Sequence, residues 1–127
     1  MASVREVMSS QLIAVDPQTT VAEAATIMGG KHVGSALVMD GERLAGIFTE
    51  RDIVRALGEH FDAAGHPVSH WMTARPSTIG PEATTDEALD RMLKGGFRHL
   101  PVVDGEQVVG MLSLRDVAAA DTGGAGT

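Results

Sequence analysis

Two stretches decide the fold: "VMDGERLAGIFTERD" (38–52) and "VVDGEQVVGMLSLRD" (102–116). Each consists of two apolar runs around an Asp-Gly pair, closed by a Thr or Ser with an Asp three residues on. Asp-Gly readily supplies the positive φ angles of a tight hairpin turn, and an apolar run on either side of it predicts two antiparallel strands. Thr/Ser-x-x-Asp matches the N-cap and N3 positions of a helix, so a helix should follow each hairpin. Asp52 and Asp116 stand 64 positions apart. "VREVMS" at Val4 returns as "VSHWMT" at Val68 with the same offset, as do Pro17 at Pro81 and "TVAEA" at "TTDEA". A fixed offset without a gap means two copies of one structural unit.

Working outward, "LIAV" and "STI" are short extended segments, each ending just before a proline or a Gly-Pro pair. Thr20 with Glu23 and Thr84 with Glu87 form Thr-x-x-Glu capping boxes, so a second helix begins at each. In the later helix Ala88, Leu89, Met92 and Leu93 fall on one side, opposite Asp90, Arg91 and Lys94. Gly29-Gly30 and Gly95-Gly96 should stop these helices, with Lys31 and His32 complementing the first helix dipole. The expected unit is strand, helix, strand, strand, helix, an α+β fold. One such unit leaves a sheet face and an edge uncovered, so two are expected to pack sheet to sheet about a pseudo-twofold axis with clefts between them. The repeats run over 1–58 and 68–120, joined by a polar, mobile linker at 59–67 and followed by a disordered tail at 121–127.

Composition narrows the function. The chain has 127 residues, 43% of them hydrophobic, enough for one packed core or two small ones. Without cysteine there is neither a disulfide nor a thiolate site, which fits a cytoplasmic protein. No secretory leader or membrane-length apolar run is visible. A net charge of −7 argues against nucleic-acid or anionic-membrane partners, so any phosphate must be met by a local positive site. There is no nucleophile with an evident base, no Gly-rich phosphate loop and no carboxylate cluster for a metal. His60, His66 and His70 gather near the linker, but their spacings fit no compact pair of metal ligands. An enzyme such as a nucleotide hydrolase is therefore disfavoured, and no metal site is assigned.

The two Thr/Ser-x-x-Asp motifs are the candidate site. Spacing alone does not separate a helix cap from a ligand contact, since Thr20/Glu23 is the same device with no ligand in view. Gly46 and Gly110 lie just before each motif, where a missing side chain would let a ligand approach the backbone. A helix N-terminus offers free N–H groups, and a short carboxylate there can accept both hydroxyls of a ribose diol. Thr49, Asp52, Ser113 and Asp116 are the candidates.

With these motifs in hand, "HVGSALVMDGERLAGIFTERDIV" and "FRHLPVVDGEQVVGMLSLRDV" resemble tandem cystathionine-beta-synthase (CBS) domains, the Bateman module, from about Val4 to Ala118. The resemblance implies a regulatory module of the stand-alone two-repeat type, expected to act in trans or as a sensor by itself. Its ligand would be AMP, ADP, ATP, S-adenosylmethionine or an NAD-type dinucleotide, AMP or ATP first, with no cofactor required. Asp52 and Asp116 would grip ribose, while Thr49 and Ser113 would touch ribose or the first phosphate. Adenine would lie near Ala14 and Val15 or near Thr78 and Ile79. The resemblance makes Arg98 and His99 phosphate contacts, whereas the first copy has Gly34 and Ser35 there. Arg51 and Arg115 are further candidates for phosphate or, more simply, solvent-facing helix residues. A homodimer paired through its helices and an unidentified protein partner are also implied. The alternative is a structural or dimerisation module whose ligand sites have decayed. Trp71 replaces Val7 between copies and is expected to be buried, as are the repeated methionines.

Overall fold

The computed structural model describes residues 2–125, with the side chains of 2–120. The elements are α1 (Val4–Val7), β1 (Ala14–Val15), α2 (Val21–Lys31), β2 (Ser35–Asp40), β3 (Arg43–Thr49), α3 (Glu50–Glu59), β4 (Thr73–Ala74), α4 (Thr85–Gly95), β5 (His99–Asp104), β6 (Gln107–Ser113) and α5 (Leu114–Ala125). Short 3-10 turns at Ala63–Gly65 and Val68–His70 lie between α3 and β4. The fold is α+β, and the expected strand, helix, strand, strand, helix order is complete in the first copy. In the second, the expected strand at "STI" is reduced to a single bridge from Ile79 to Val102, and β4 is instead a separate segment paired with β3.

Packing divides the chain differently from the repeat. One compact unit is Ile13–Pro76; the other joins Met1–Leu12 to Ser77–Thr127. In the Ile13–Pro76 unit the sheet order is β1-β2-β3-β4, with β1 parallel to β2 and the others antiparallel. In the other unit β5 and β6 form the hairpin, flanked by bridges from Ile79 to Val102 and from Ser9 to Met111. Each hairpin therefore closes against the head of the other sequence copy. Segment 68–76 lies on the β2-β3 hairpin, and segment 3–9 lies on the β5-β6 hairpin. Val68 N–H bonds to Thr19 O at 2.8 Å, and Val4 N–H bonds to Ala83 O at 2.8 Å, the same contact in both units.

The hairpins are built alike. Gly41 and Gly105 hold φ of +63° and +66° at the two turns. A bulge follows Val38 in one and Val102 in the other. Their inner faces carry Ala36, Val38 and Phe48, or Leu100, Val102 and Leu112, all at 0% exposure. The first core adds Val21, Ala24, Met28, Ala56, Ala63, Val68 and Trp71. The second adds Val4, Ile79, Ala88, Met92 and Val117.

Five further expectations change in the structure. Gly29 and Gly30 do not stop α2, which runs through them to Lys31; His32 takes the left-handed cap at φ 56°, just as Gly96 does for α4 at φ 70°. These positions are equivalent in the repeat, so tertiary register and not residue type fixes the helix end. Leu93 is 69% exposed, because Thr85, Ala88 and Met92 form the buried stripe of α4. At Thr84 only half a capping box forms, the hydroxyl accepting Glu87 N–H at 3.1 Å. The 59–67 stretch is tied down: Ala63 is wholly buried, His66 O accepts Val21 N–H at 2.9 Å, and Thr20 bridges to Pro67. Of the expected tail, 121–125 continue α5, a direction set by the strong helix formers Ala118–Ala120, and 126–127 lie outside the described residues.

Candidate functional site

Asp52 is seated at the start of α3 by a reciprocal capping box. Its Oδ2 accepts Thr49 N–H at 2.9 Å and the Thr49 hydroxyl at 3.1 Å, while Thr49 Oγ1 accepts Asp52 N–H at 3.3 Å. The other oxygen, Oδ1, accepts from Arg55 Nη1 at 3.3 Å. Both oxygens are thus committed, and the residue is only 3% exposed. Burial pushes its carboxyl above the ordinary aspartate range, outweighing the Thr49 hydrogen bonds and the Arg55 and Arg51 charges. Arg55 also reaches Glu59, Nε to Oε1 at 3.8 Å, and Glu59 Oε2 accepts the indole N–H of Trp71 at 2.8 Å.

At the start of α5 the same box is less enclosed. Asp116 Oδ2 accepts Ser113 N–H at 2.9 Å, and Ser113 Oγ accepts Asp116 N–H at 3.1 Å. Asp116 is half-buried, and among the described residues no hydrogen bond reaches its Oδ1. The counterpart of Arg55 is Ala119, which has no charge to offer.

Arg98 and His99 lie beside this second box. His99 begins β5 directly opposite Ser113, and Arg98 O accepts Leu114 N–H at 2.8 Å. The Arg98 side is exposed and His99 is half-buried. The first copy places Ser35 opposite Thr49, with Gly34 O accepting Glu50 N–H at 3.0 Å, so the same backbone frame there carries no cation. Arg51 and Arg115 are exposed on the first turns of α3 and α5. Of the residues expected near adenine, Val15 and Ile79 turn into the cores at 7% and 2% exposure. Ala14 is exposed and Thr78 half-buried, so only these two present a side chain outward. The Thr78 carbonyl accepts a hydrogen bond from Arg91.

Gly46 and Gly110 serve a purpose other than the one expected. A Cβ at Gly46 would lie 2.5 Å from Thr73 O and 3.0 Å from Met72 Sδ; at Gly110 it would lie 2.5 Å from Met8 Sδ and 2.8 Å from Ser9 O. The space is filled by the chain segment laid on each hairpin and is not available to a ligand. The linker histidines also have a packing role. His60, His66 and His70 ring Trp71 with centroids 5.6–6.2 Å from the indole, and among the described residues no group of three or more His, Asp or Glu side chains is placed to hold a metal.

Arg55 and Glu59 were not apparent from the motifs. The sequence signals were the i, i+3 step from Asp52 to Arg55 and the i, i+4 step from Arg55 to Glu59, spacings common on any solvated helix face.

Comparison with known proteins agrees with this geometry. The family model described as "CBS domain" matches residues 4–59 and 68–123. An uncharacterised 17.7 kDa protein of Acidianus ambivalens is 37% identical over 119 residues, covering 92% of this chain and 71% of that protein. Some relatives are far longer: this chain spans 21% of the CBS domain-containing protein CBSCBSPB1 of Arabidopsis thaliana. Among solved structures, the CBS domain pair of protein MJ0100, in complex with 5'-methylthioadenosine and S-adenosyl-L-methionine, superposes with a TM-score of 0.90 at 25% identity, covering 98% of each chain. CBSX2 in complex with AMP gives 0.83 at 26% identity, covering 97% of this chain and 98% of the other. No helix among the described residues is long and apolar enough to cross a membrane. Two capped hairpins repeated in register, matched by the family model over both copies, make this chain a member of the CBS domain family with two CBS domains in tandem.

Proposed function

We propose that this CBS pair is a regulatory module that binds an adenosyl ligand, AMP or ATP foremost, and changes conformation or assembly for a protein partner. Asp116 with Ser113 holds the ribose, and Arg98 and His99 meet the phosphate. The observation that carries this is the state of the Asp116 carboxylate: one oxygen fixes the helix cap, the other has no hydrogen bond among the described residues, and Ser113 of the same cap lies directly opposite His99 in the hairpin. A carboxylate arranged this way can accept ribose hydroxyls without giving up its cap, and a guanidinium can fork onto phosphate oxygens. The ligands in the MJ0100 and CBSX2 structures all contain adenosine, which supports the same class here. Thr49 and Asp52 supply a second, weaker ribose site, with Arg51 and Arg115 as outlying phosphate contacts and Ala14 and Thr78 beside adenine. Regulation rather than turnover is the reading supported by a sequence in which no nucleophile with an evident base partner is seen.

A homodimer is part of this proposal. Val54 and Leu57 on α3 and Phe61 just beyond it are 72%, 50% and 98% exposed, an apolar stripe at helical spacing that suits a second copy. Sedimentation of Val54→Glu/Leu57→Glu as a monomer, where the parent sediments as a dimer, is the expected result.

The direct test is a thermal-shift and calorimetric screen with AMP, ATP, S-adenosylmethionine, 5'-methylthioadenosine and NADH. A ligand at 100 times its Kd raises stability by about 2.7 kcal/mol, several degrees of Tm for a chain this size. Asp116→Ala should abolish most of that gain, and Arg98→Ala should weaken ATP more than 5'-methylthioadenosine. If no adenosyl compound shifts the parent protein, the module is structural and the proposal fails.

A further inference from the structure

The sequence copies the acidic cap, but among the described residues only the Asp52 copy has a cation paired with it. Asp52 Oδ1 is held by Arg55 Nη1 at 3.3 Å, with the Arg55 side chain 52% exposed and that of Asp52 5% exposed. Asp52 Oδ2 already carries two bonds from Thr49. A ribose diol that approaches Asp52 must therefore displace Arg55, whereas at Asp116 the equivalent position is Ala119 and, among the described residues, no side chain holds the second carboxylate oxygen. Arg55 is free to yield because half of its surface is in water and Glu59, one turn along α3, offers an alternative carboxylate at 3.8 Å. Glu59 in turn holds the indole of Trp71, the single tryptophan of the chain.

We infer that Arg55 is a specificity-determining latch: it competes with ribose hydroxyls for Asp52, so the Asp116 site fills first, and its release is passed through Glu59 to Trp71. This rests on the adenosyl-binding proposal above and adds to it an order of filling and an optical signal. The latch is worth a modest factor. A half-exposed ion pair contributes about 0.2–1 kcal/mol, which corresponds to roughly a 1.4- to 5-fold change in affinity. It therefore ranks the two sites without silencing the first.

The experiment titrates 5'-methylthioadenosine, which has no phosphate, and AMP into Asp116→Ala, where only the Asp52 site remains, and into Asp116→Ala/Arg55→Ala. Arg55→Gln, which keeps the aliphatic stem, replaces Arg55→Ala if the latter loses its fold by circular dichroism. Removing the arginine should tighten 5'-methylthioadenosine by about 1.4- to 5-fold. Trp71 emission in Asp116→Ala should change with ligand, and Asp52→Ala should abolish that change while still binding ligand at Asp116. Unchanged or weaker 5'-methylthioadenosine binding on loss of Arg55 overturns the latch, as does weaker AMP binding in parallel with it. If the parent binds nothing but Arg55→Ala binds, Arg55 blocks the Asp52 site outright, and both the order of filling and the proposal that the native protein senses ligand fall. If the parent binds but loss of Arg55 changes nothing, only the latch falls. If neither protein binds, both fall.

Discussion

Asp52 and Asp116 occupy equivalent positions and make the same cap, yet they are chemically different groups. Asp52 is buried, has both oxygens engaged and is pushed toward its neutral form. Asp116 is half-buried and has engaged one oxygen. The cap motif fixes the backbone of a helix start, and what surrounds it decides whether the carboxylate has anything left to bind with. Thr20 and Glu23 complete the series: this box is reciprocal too, at 3.0 and 3.1 Å, but lies in solvent, and the Thr20 hydrogen bonds hold Glu23 below its ordinary value. One motif in three settings thus moves a carboxyl in two directions, because burial dominates in one case and hydrogen bonding in the other.

The largest test of the difference between the two units is Trp71. It fills the core of the Asp52 unit, where the other unit has the smaller, half-buried Val7. Trp71→Ala should cost about 3–5 kcal/mol in urea unfolding, and Val7→Ala distinctly less. Equal costs would mean that the two cores are interchangeable and that the asymmetry is confined to the caps.

The hairpin glycines give a smaller effect of the same kind. Gly46→Ala forces a methyl against the Thr73 carbonyl, which is backbone, whereas Gly110→Ala first meets the flexible Met8 thioether. Overpacking of this sort costs about 1–3 kcal/mol, and Gly46→Ala should lie at the upper end. If both substitutions are neutral in chemical denaturation, segments 68–76 and 3–9 are not held as tightly against the hairpins as their geometry indicates.

The smallest effect is in the pH dependence of stability, and its sign separates two boxes. Asp52 has a raised pKa in the fold, so its contribution is fully present below the unfolded value near 3.8 and is lost as pH rises through the folded pKa. Glu23 has a lowered one, so its contribution is present above the unfolded value near 4.5 and is lost as pH falls through the folded pKa. Between about pH 3 and 7, the stability of the parent relative to Asp52→Asn should decline with rising pH, and that relative to Glu23→Gln should increase. Denaturation midpoints that move in the same direction for both pairs would contradict the assignment of burial as the stronger influence on Asp52.

The sequence by itself determined the doubled unit, its hairpins and its helix starts, because each depends on local chemistry: Asp-Gly at a turn, a hydroxyl and a carboxylate three residues apart at a cap, and alternating apolar residues in a strand. Whether Arg98 and His99 stand beside Ser113 and Asp116 was left open by the sequence, because side chains from one copy can reach the other; the hairpin register sets His99 opposite Ser113. What only the tertiary structure decided was the partner of each hairpin. A segment such as 3–9 reads the same whether it lies on its own copy or on the next, and only packing tells that Gly46 and Gly110 make room for chain and not for ligand. The helix end at His32 and the grip of Arg55 on Asp52 escaped for a related reason. A left-handed cap in a non-glycine residue is imposed from outside the helix, and an ion pair depends on burial and competing partners that residue spacing does not carry.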